Sequence, residues 1–235
     1  MDAQLLSQIN AARKSRQAIA VLTDLTEGKS RLVNETEARN DELGDVLQNA
    51  FRTGRSLTAG TDEKPVFINM HLPSPRLVVI GAVHISQALA PMARIAGYPV
   101  EIIDPRSAFA SEERFPEVSL HADWPETVLQ NHPLDSYCAL AAITHDPKID
   151  DFALKAALDA NCFYVGALGS RKTHAKRVER LLALGATQEQ IERIKAPIGL
   201  NIGAANPAEI AVATLSQIIE AFRTRGVSSH EGRDT

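Results

Sequence analysis

Several short segments place chemically capable residues where the chain must turn. Thr144-His145-Asp146-Pro147-Lys148 offers a hydroxyl, an imidazole and a carboxylate directly after an apolar run. An imidazole titrates near neutral pH, so His145 suits proton transfer or ligand orientation, while Thr144 or Asp146 equally suits capping a helix after Pro147. In Gly166-Ala167-Leu168-Gly169-Ser170-Arg171-Lys172-Thr173-His174, two glycines permit a sharp turn, and the following hydroxyls and cations suit an anion at a helix start. Here Arg171 is expected to give charge-assisted hydrogen bonds and His174 to face the ligand from the first turn. The competing reading is a capped helix with a basic solvated face made of Arg171, Lys172, Lys176, Arg177 and Arg180. Gly81-Ala82-Val83-His84 precedes Asp104 by 23 residues, with Arg106 just beyond, which is the spacing of a dinucleotide turn and its ribose-binding acid. Such a turn needs three glycines. Val83 and Ser86 stand where the second and third belong, so the turn makes a poor NAD(P) site. A fourth stretch, residues 196–203 around Gly199, reads either as a pocket wall or as an edge strand.

The elements that must hold these segments alternate. Leu77-Val78-Val79-Ile80 is continuously apolar, as in a parallel strand covered on both faces. A helical stripe (Ile85, Leu89, Met92, Ala93, Ala96) runs to Gly97, and a second strand spans residues 99–103. Strand, helix and strand recur over 139–144, 153–158 and 163–166, and capping boxes at Thr187/Gln190 and Asn206/Glu209 start two later helices. Alternation of this kind predicts a Rossmann-like parallel-sheet domain over residues 76–226. Residues 1–72 read as a small α/β domain: a helix over 3–14, a strand over 18–22, a helix over 35–51 with Gly54 as its C-cap, and a strand over 66–70. His71 to Pro75 is a linker, and 227–235 a frayed polar tail.

Composition narrows the function. The chain has 235 residues and a net charge of −4, with no long basic run, which argues against nucleic acid as a partner. No stretch approaches the ~20 apolar residues of a membrane span. Cys138 and Cys162 lie in apolar runs without metal-ligand spacing, so buried thiols in a cytoplasmic protein are expected, and no metal site.

From Leu77 to Arg223 the segments LVVIGAVH, VEIIDPR, ITHDPKID, YVGALGSRKTHAKR, RIKAPIGLNIGA and NPAEIAVA resemble, in order, the XdhC/CoxI family of maturation factors for molybdenum hydroxylases. The resemblance implies a protein that binds molybdenum cofactor (molybdopterin or its cytosine dinucleotide form) for sulfuration or insertion into a xanthine dehydrogenase or CO dehydrogenase. It implies a cofactor-binding factor more than a turnover enzyme, with the 144–148 and 166–174 loops lining the cofactor cleft. The family's first turn is usually GAGH, where this chain has Val83 in place of the second glycine. Its N-terminal Ser-x-Pro-Arg and Gly-Cys-Val-Glu-like segments have no counterpart here, and no cysteine precedes Cys138. A shortened paralogue is therefore expected, self-associating or working with a second accessory subunit or sulfur donor. Alternatives are an NAD(P)-dependent oxidoreductase using His145, and a non-catalytic interaction subunit with a vestigial nucleotide cleft.

Overall fold

The computed structural model describes residues 3–225, which form two compact units, one running through Ser74 and rejoined at Arg225, the other Pro75–Thr224. The first unit contains α1 (Ala3–Lys14), β1 (Ile19–Asp24), β2 (Ser30–Asn34), α2 (Gly44–Thr53), β3 (Leu57–Thr61) and β4 (Lys64–His71). Its strands make an antiparallel sheet in the order β2-β1-β4-β3. Leu5, Ile9 and Ala12 recur on one face of α1 and bury against Ile19 and Val21 of the central strand β1.

Two expectations change here. The single helix over 35–51 is a 3-10 turn (Glu37–Asn40) followed by α2, because Asp41 leaves helical geometry at φ −81°, ψ 153°. Asp41 is held out by Arg31, whose Nη2 lies 3.0 Å from Oδ1. Strands β2 and β3 escaped the sequence pattern because both are edge strands with at most one buried residue each, so neither carries an apolar alternation. At Gly54 the chain does adopt the left-handed conformation (φ 70°) that closes α2.

The second unit contains β5 (Arg76–Ile80), α3 (His84–Ile95), β6 (Val100–Ile103), β7 (Ser119–His121), α4 (Pro125–Asn131), β8 (Cys138–Ala142), α5 (Pro147–Asp159), β9 (Tyr164–Ala167), α6 (Arg171–Ala183), α7 (Gln188–Glu192), β10 (Ile194–Lys195) and α8 (Pro207–Thr224). All six strands are parallel, ordered β10-β9-β8-β5-β6-β7. That is the doubly wound order of a Rossmann fold, and the expected mixed α/β class holds. Residues Leu77 to Ile80 have no solvent exposure, since helices cover both faces. Helices α3 and α8 cover one face through Leu89, Ala93, Ala211 and Ile218. Ile149, Leu154, Leu158 and Leu181 of α5 and α6 cover the other.

Caps fix where the helices begin. Thr187 and Gln190 form the reciprocal box at α7. At α8 the box is offset: Asn206 Oδ1 accepts from Glu209 N at 3.0 Å, but the Glu209 carboxylate reaches Ala205 N instead. Of the two readings open for 196–203, the edge strand falls instead on the preceding pair Ile194–Lys195, and the chain then turns down onto α8. There Gly199 adopts φ 91°, and a Cβ on it would lie 3.1 Å from the Ala213 and Thr214 backbone. Gly199 N donates to Gln217 Oε1 at 2.9 Å, so this glycine seats the loop on a helix. Both the dihedral and the close backbone exclude a side chain. Gly199→Ala should therefore lower unfolding free energy by about 2 kcal/mol or more, measured by urea denaturation.

Candidate functional site

The switch point of this sheet lies between β5 and β8, where strand order reverses and ligands of open α/β folds bind. In this protein it is closed from within. A Cβ on Gly81 (φ 123°) would meet Thr144 Cγ2 at 2.9 Å, so the two strand ends abut. Both amides that would face a pyrophosphate are used internally. Ala82 N donates to Asp104 Oδ2 at 2.8 Å, and Val83 N donates to Ser86 Oγ at 2.8 Å. Asp104 is fully buried and also accepts from Arg106 N (3.0 Å), Nε (2.9 Å) and Nη2 (2.7 Å). Burial raises the Asp104 pKa, but these hydrogen bonds outweigh it and hold the carboxyl below its ordinary value. An acid so saturated has no acceptor left for a ribose. The exposed His84 merely opens α3.

A cleft of about 270 Å³ opens instead between α5 and α6, on the carboxyl side of β8 and β9. Among the described residues its lining brings together His145 and Pro147 from one predicted loop, Lys172 and Thr173 from the other, and Asp150, Asp151, Lys176, Arg177 and Arg180. Asp146 caps α5, its Oδ1 accepting from Lys148 N at 2.9 Å, and Ser170 caps α6 by accepting from Thr173 N at 3.2 Å. His145 sits at φ 67°. That left-handed backbone is costly for a residue with a Cβ, and strain of this kind gathers at functional sites. Here it turns the exposed His145 to the cleft wall. Gly169 also needs its positive φ (128°), with Thr173 packed 3.2 Å from where its Cβ would be. Gly166 is excluded from contact with a ligand by Tyr164 and Ile198, which would lie within 2.8 Å of a Cβ there.

The floor is the unusual part. Arg177 is 2% exposed and Asp150 1%. Arg177 Nη2 donates to Leu168 O at 2.9 Å, leaving Nε and Nη1 without a hydrogen-bond partner. Asp150 Oδ1 accepts from Thr144 Oγ1 at 2.7 Å, while Oδ2 has no partner. Burial pushes Asp150 up to about 6 and the Arg177 guanidinium down, each partly offset by the other's charge. Asp151 is engaged by Arg180, with Oδ1 3.1 Å from Nη2. Four cations thus surround two carboxylates, and two buried guanidinium donors point at no acceptor.

The solvated-face reading fails for Arg177, and the expected roles along α6 are redistributed. Lys172, Lys176 and Arg177 line the cleft, whereas Arg171 and His174 do not. His174 Nδ1 is buried without a partner, and burial together with the Arg177 charge lowers its pKa. Arg177 was missed because in sequence it is one of several cations on a polar helix. The signal lay in position, since Arg177 falls four residues before the buried Leu181 and shares its inward face.

Fold and cleft together define a class: an open parallel α/β domain with Rossmann order and a basic cleft beside its switch point. The family model described as the XdhC Rossmann domain matches residues 77–218, and the chain belongs to the XdhC family. It is 29% identical over 93% of its length to the uncharacterized protein YqeB of Escherichia coli. Over 66% of its length it is 32% identical to a probable xanthine dehydrogenase subunit from Bacillus subtilis. It is 30% identical over 62% to the molybdenum cofactor insertion chaperone PaoD of Escherichia coli. The chain spans 39%, 45% and 40% of these relatives' lengths, respectively. A crystal structure described as a xanthine dehydrogenase from Bacillus halodurans shares the fold, with TM-score 0.63 at 20% identity, covering 97% of this chain and 66% of that one. No helix among the described residues is long and apolar enough to cross a membrane.

The raised Asp150 pKa carries a stability consequence. Its contribution is fully present below about pH 3.8 and is lost as pH rises through about 6. Asp150→Asn removes that loss. Its stability relative to wild type should therefore rise by up to about 3 kcal/mol between pH 4 and pH 7, measured by urea denaturation at both. A constant difference would show that Asp150 ionises normally.

Proposed function

We propose that this chain is a maturation factor for a molybdenum hydroxylase, and that the α5–α6 cleft holds the phosphate-bearing end of molybdenum cofactor, as molybdopterin or its cytosine dinucleotide form. The observation that carries this reading is Arg177, desolvated with two donors unfilled. Burying an unpaired guanidinium is expensive, and an anionic oxygen brought to Nε and Nη1 would recover charge-assisted hydrogen bonds. Lys172, Lys176 and Arg180 supply further positive charge around it, and His145 stands within reach to orient a polar substituent. The names of the Bacillus subtilis and PaoD relatives support the choice of cargo and client. About 270 Å³ lies just below the usual ~300–1,000 Å³ of small-molecule pockets, so it suits the phosphate end with the remainder of the cofactor outside. In this reading the cofactor is cargo. The chain's residues bind it, screen its charge and present it to the hydroxylase, with sulfur donation left to a partner.

Isothermal titration of the purified chain with isolated molybdenum cofactor tests this. Losing one charged hydrogen bond costs about 1.5–3 kcal/mol, so Arg177→Gln should weaken binding about ten- to a hundredfold. Lys172→Ala/Lys176→Ala, at exposed positions that leave folding intact, should weaken it by a similar factor, while Arg171→Ala should change little. Unchanged affinity in both cleft variants would reject the site.

NAD(H) offers a separate check. With the Ala82 and Val83 amides already bonded, the wild-type chain should show no micromolar NAD(H) affinity, and Val83→Gly alone should not create it. Tight NAD(H) binding would favour the oxidoreductase reading instead.

A further inference from the structure

Away from the cleft, the start of β6 carries a charge inside the sheet. Glu101 is 6% exposed, in a strand whose four residues are all buried. Its Oε2 lies 3.3 Å from Arg76 Nη1. Its Oε1 faces two imidazoles: His121 Nε2 at 2.9 Å and His132 Nδ1 at 3.0 Å. Neither nitrogen makes a well-directed hydrogen bond to it, so Oε1 is a buried oxygen with no hydrogen-bond partner. One potential ligand atom from each of the three residues lies within 4.8 Å of the others.

Topology explains the convergence. The parallel register sets Glu101 opposite Ser119 and Ile103 opposite His121, and alternation along β6 puts Glu101 and Ile103 on the same face. On that face α4 ends at His132, its C-cap residue. The two rings stand 5.0 Å apart at an interplanar angle of 67°, so they converge without stacking. Burial falls from the carboxylate outward, with side-chain exposures of 8% for Glu101, 24% for His121 and 46% for His132, leaving an approach from solvent.

From this geometry we propose that Glu101, His121 and His132 form a binding site for a divalent first-row transition cation of the zinc class. Two imidazoles and one carboxylate are the donor set such cations take, in preference to the all-oxygen shells of calcium and magnesium. Metal–ligand bonds of about 2.0–2.2 Å at tetrahedral angles separate ligand atoms by roughly 3.3–3.5 Å. The 2.9 and 3.0 Å spacings open to that with shifts of a few tenths of an ångström, which the exposed His132 allows. Three protein ligands leave the remaining coordination to water. Arg76, which also donates from Nε to Cys138 Sγ at 3.0 Å, braces the far carboxylate oxygen and fixes which one faces the cation. The site would tie edge strand β7 and the end of α4 to β6 across the long 104–118 connection. Sequence spacing concealed it, because the ligands are 20 and 11 residues apart on three different elements.

The test uses the full chain, stripped with chelator and titrated with Zn²⁺, with Co²⁺ as a spectroscopic probe. One equivalent of Zn²⁺ should bind, and Co²⁺ should give visible d–d absorption from nitrogen and oxygen ligands. His132→Ala, at an exposed position that leaves the fold intact, should weaken Zn²⁺ at least tenfold, and His121→Ala/His132→Ala should abolish stoichiometric binding. His71→Ala, in the other unit, should bind as wild type. Substoichiometric or millimolar wild-type binding would overturn the proposal, as would equal affinity in the double variant.

Discussion

The second unit is organised around two opposite charges that are buried near each other without being paired. Asp150 and Arg177 each shed water, and each keeps only one hydrogen bond back to the sheet's carboxyl edge: Asp150 through Thr144 after β8, Arg177 through Leu168 after β9. Taking an ion out of water costs on the order of several kcal/mol, which mutual attraction repays only with good geometry. Here the geometry is left incomplete. The unfilled donors of Arg177 and the rim lysines would give an anion a place where desolvation has already happened, so it would gain strong hydrogen bonds for little reorganisation.

The same sheet shows how the neighbouring switch point is occupied from within. The Gly81 turn has the position of a nucleotide site, but Asp104, Arg106 and Ser86 fill its hydrogen-bonding capacity from inside. What remains is a rigid corner that sets the start of α3 and braces Thr144 through the close approach of Gly81. In the proposed reading the ligand site lies one strand along, in the groove between α5 and α6. A doubly wound fold can thus keep its architecture while its ligand chemistry changes, because the loops at the strand ends carry the chemistry.

Much of the fold was legible in the sequence because periodicity reports burial directly. The continuous run Leu77–Ile80 and the helical stripe ending at Gly97 could form little else. Edge strands β2, β3 and β7 were not legible, since an exposed strand needs no apolar face, and neither was the break at Asp41, which depends on Arg31 across a turn. The site divided along similar lines. Turn residues such as His145 and Gly169 announce themselves through local chemistry. Asp150 and Arg177 acquire their character only when two helices pack and exclude water, and the Glu101 cluster exists only through strand register. Sequence shows which residues are able to act, while burial decides which of them must.

The most direct measurement is a crystal structure of the chain with bound molybdenum cofactor. Phosphate oxygens should lie within hydrogen-bonding distance of Arg177 Nε and Nη1, with Lys172 and Lys176 closing over them and the Asp104–Arg106 pair undisturbed. A cofactor phosphate seated on the Gly81–His84 turn, with Arg177 still lacking a partner, would contradict it.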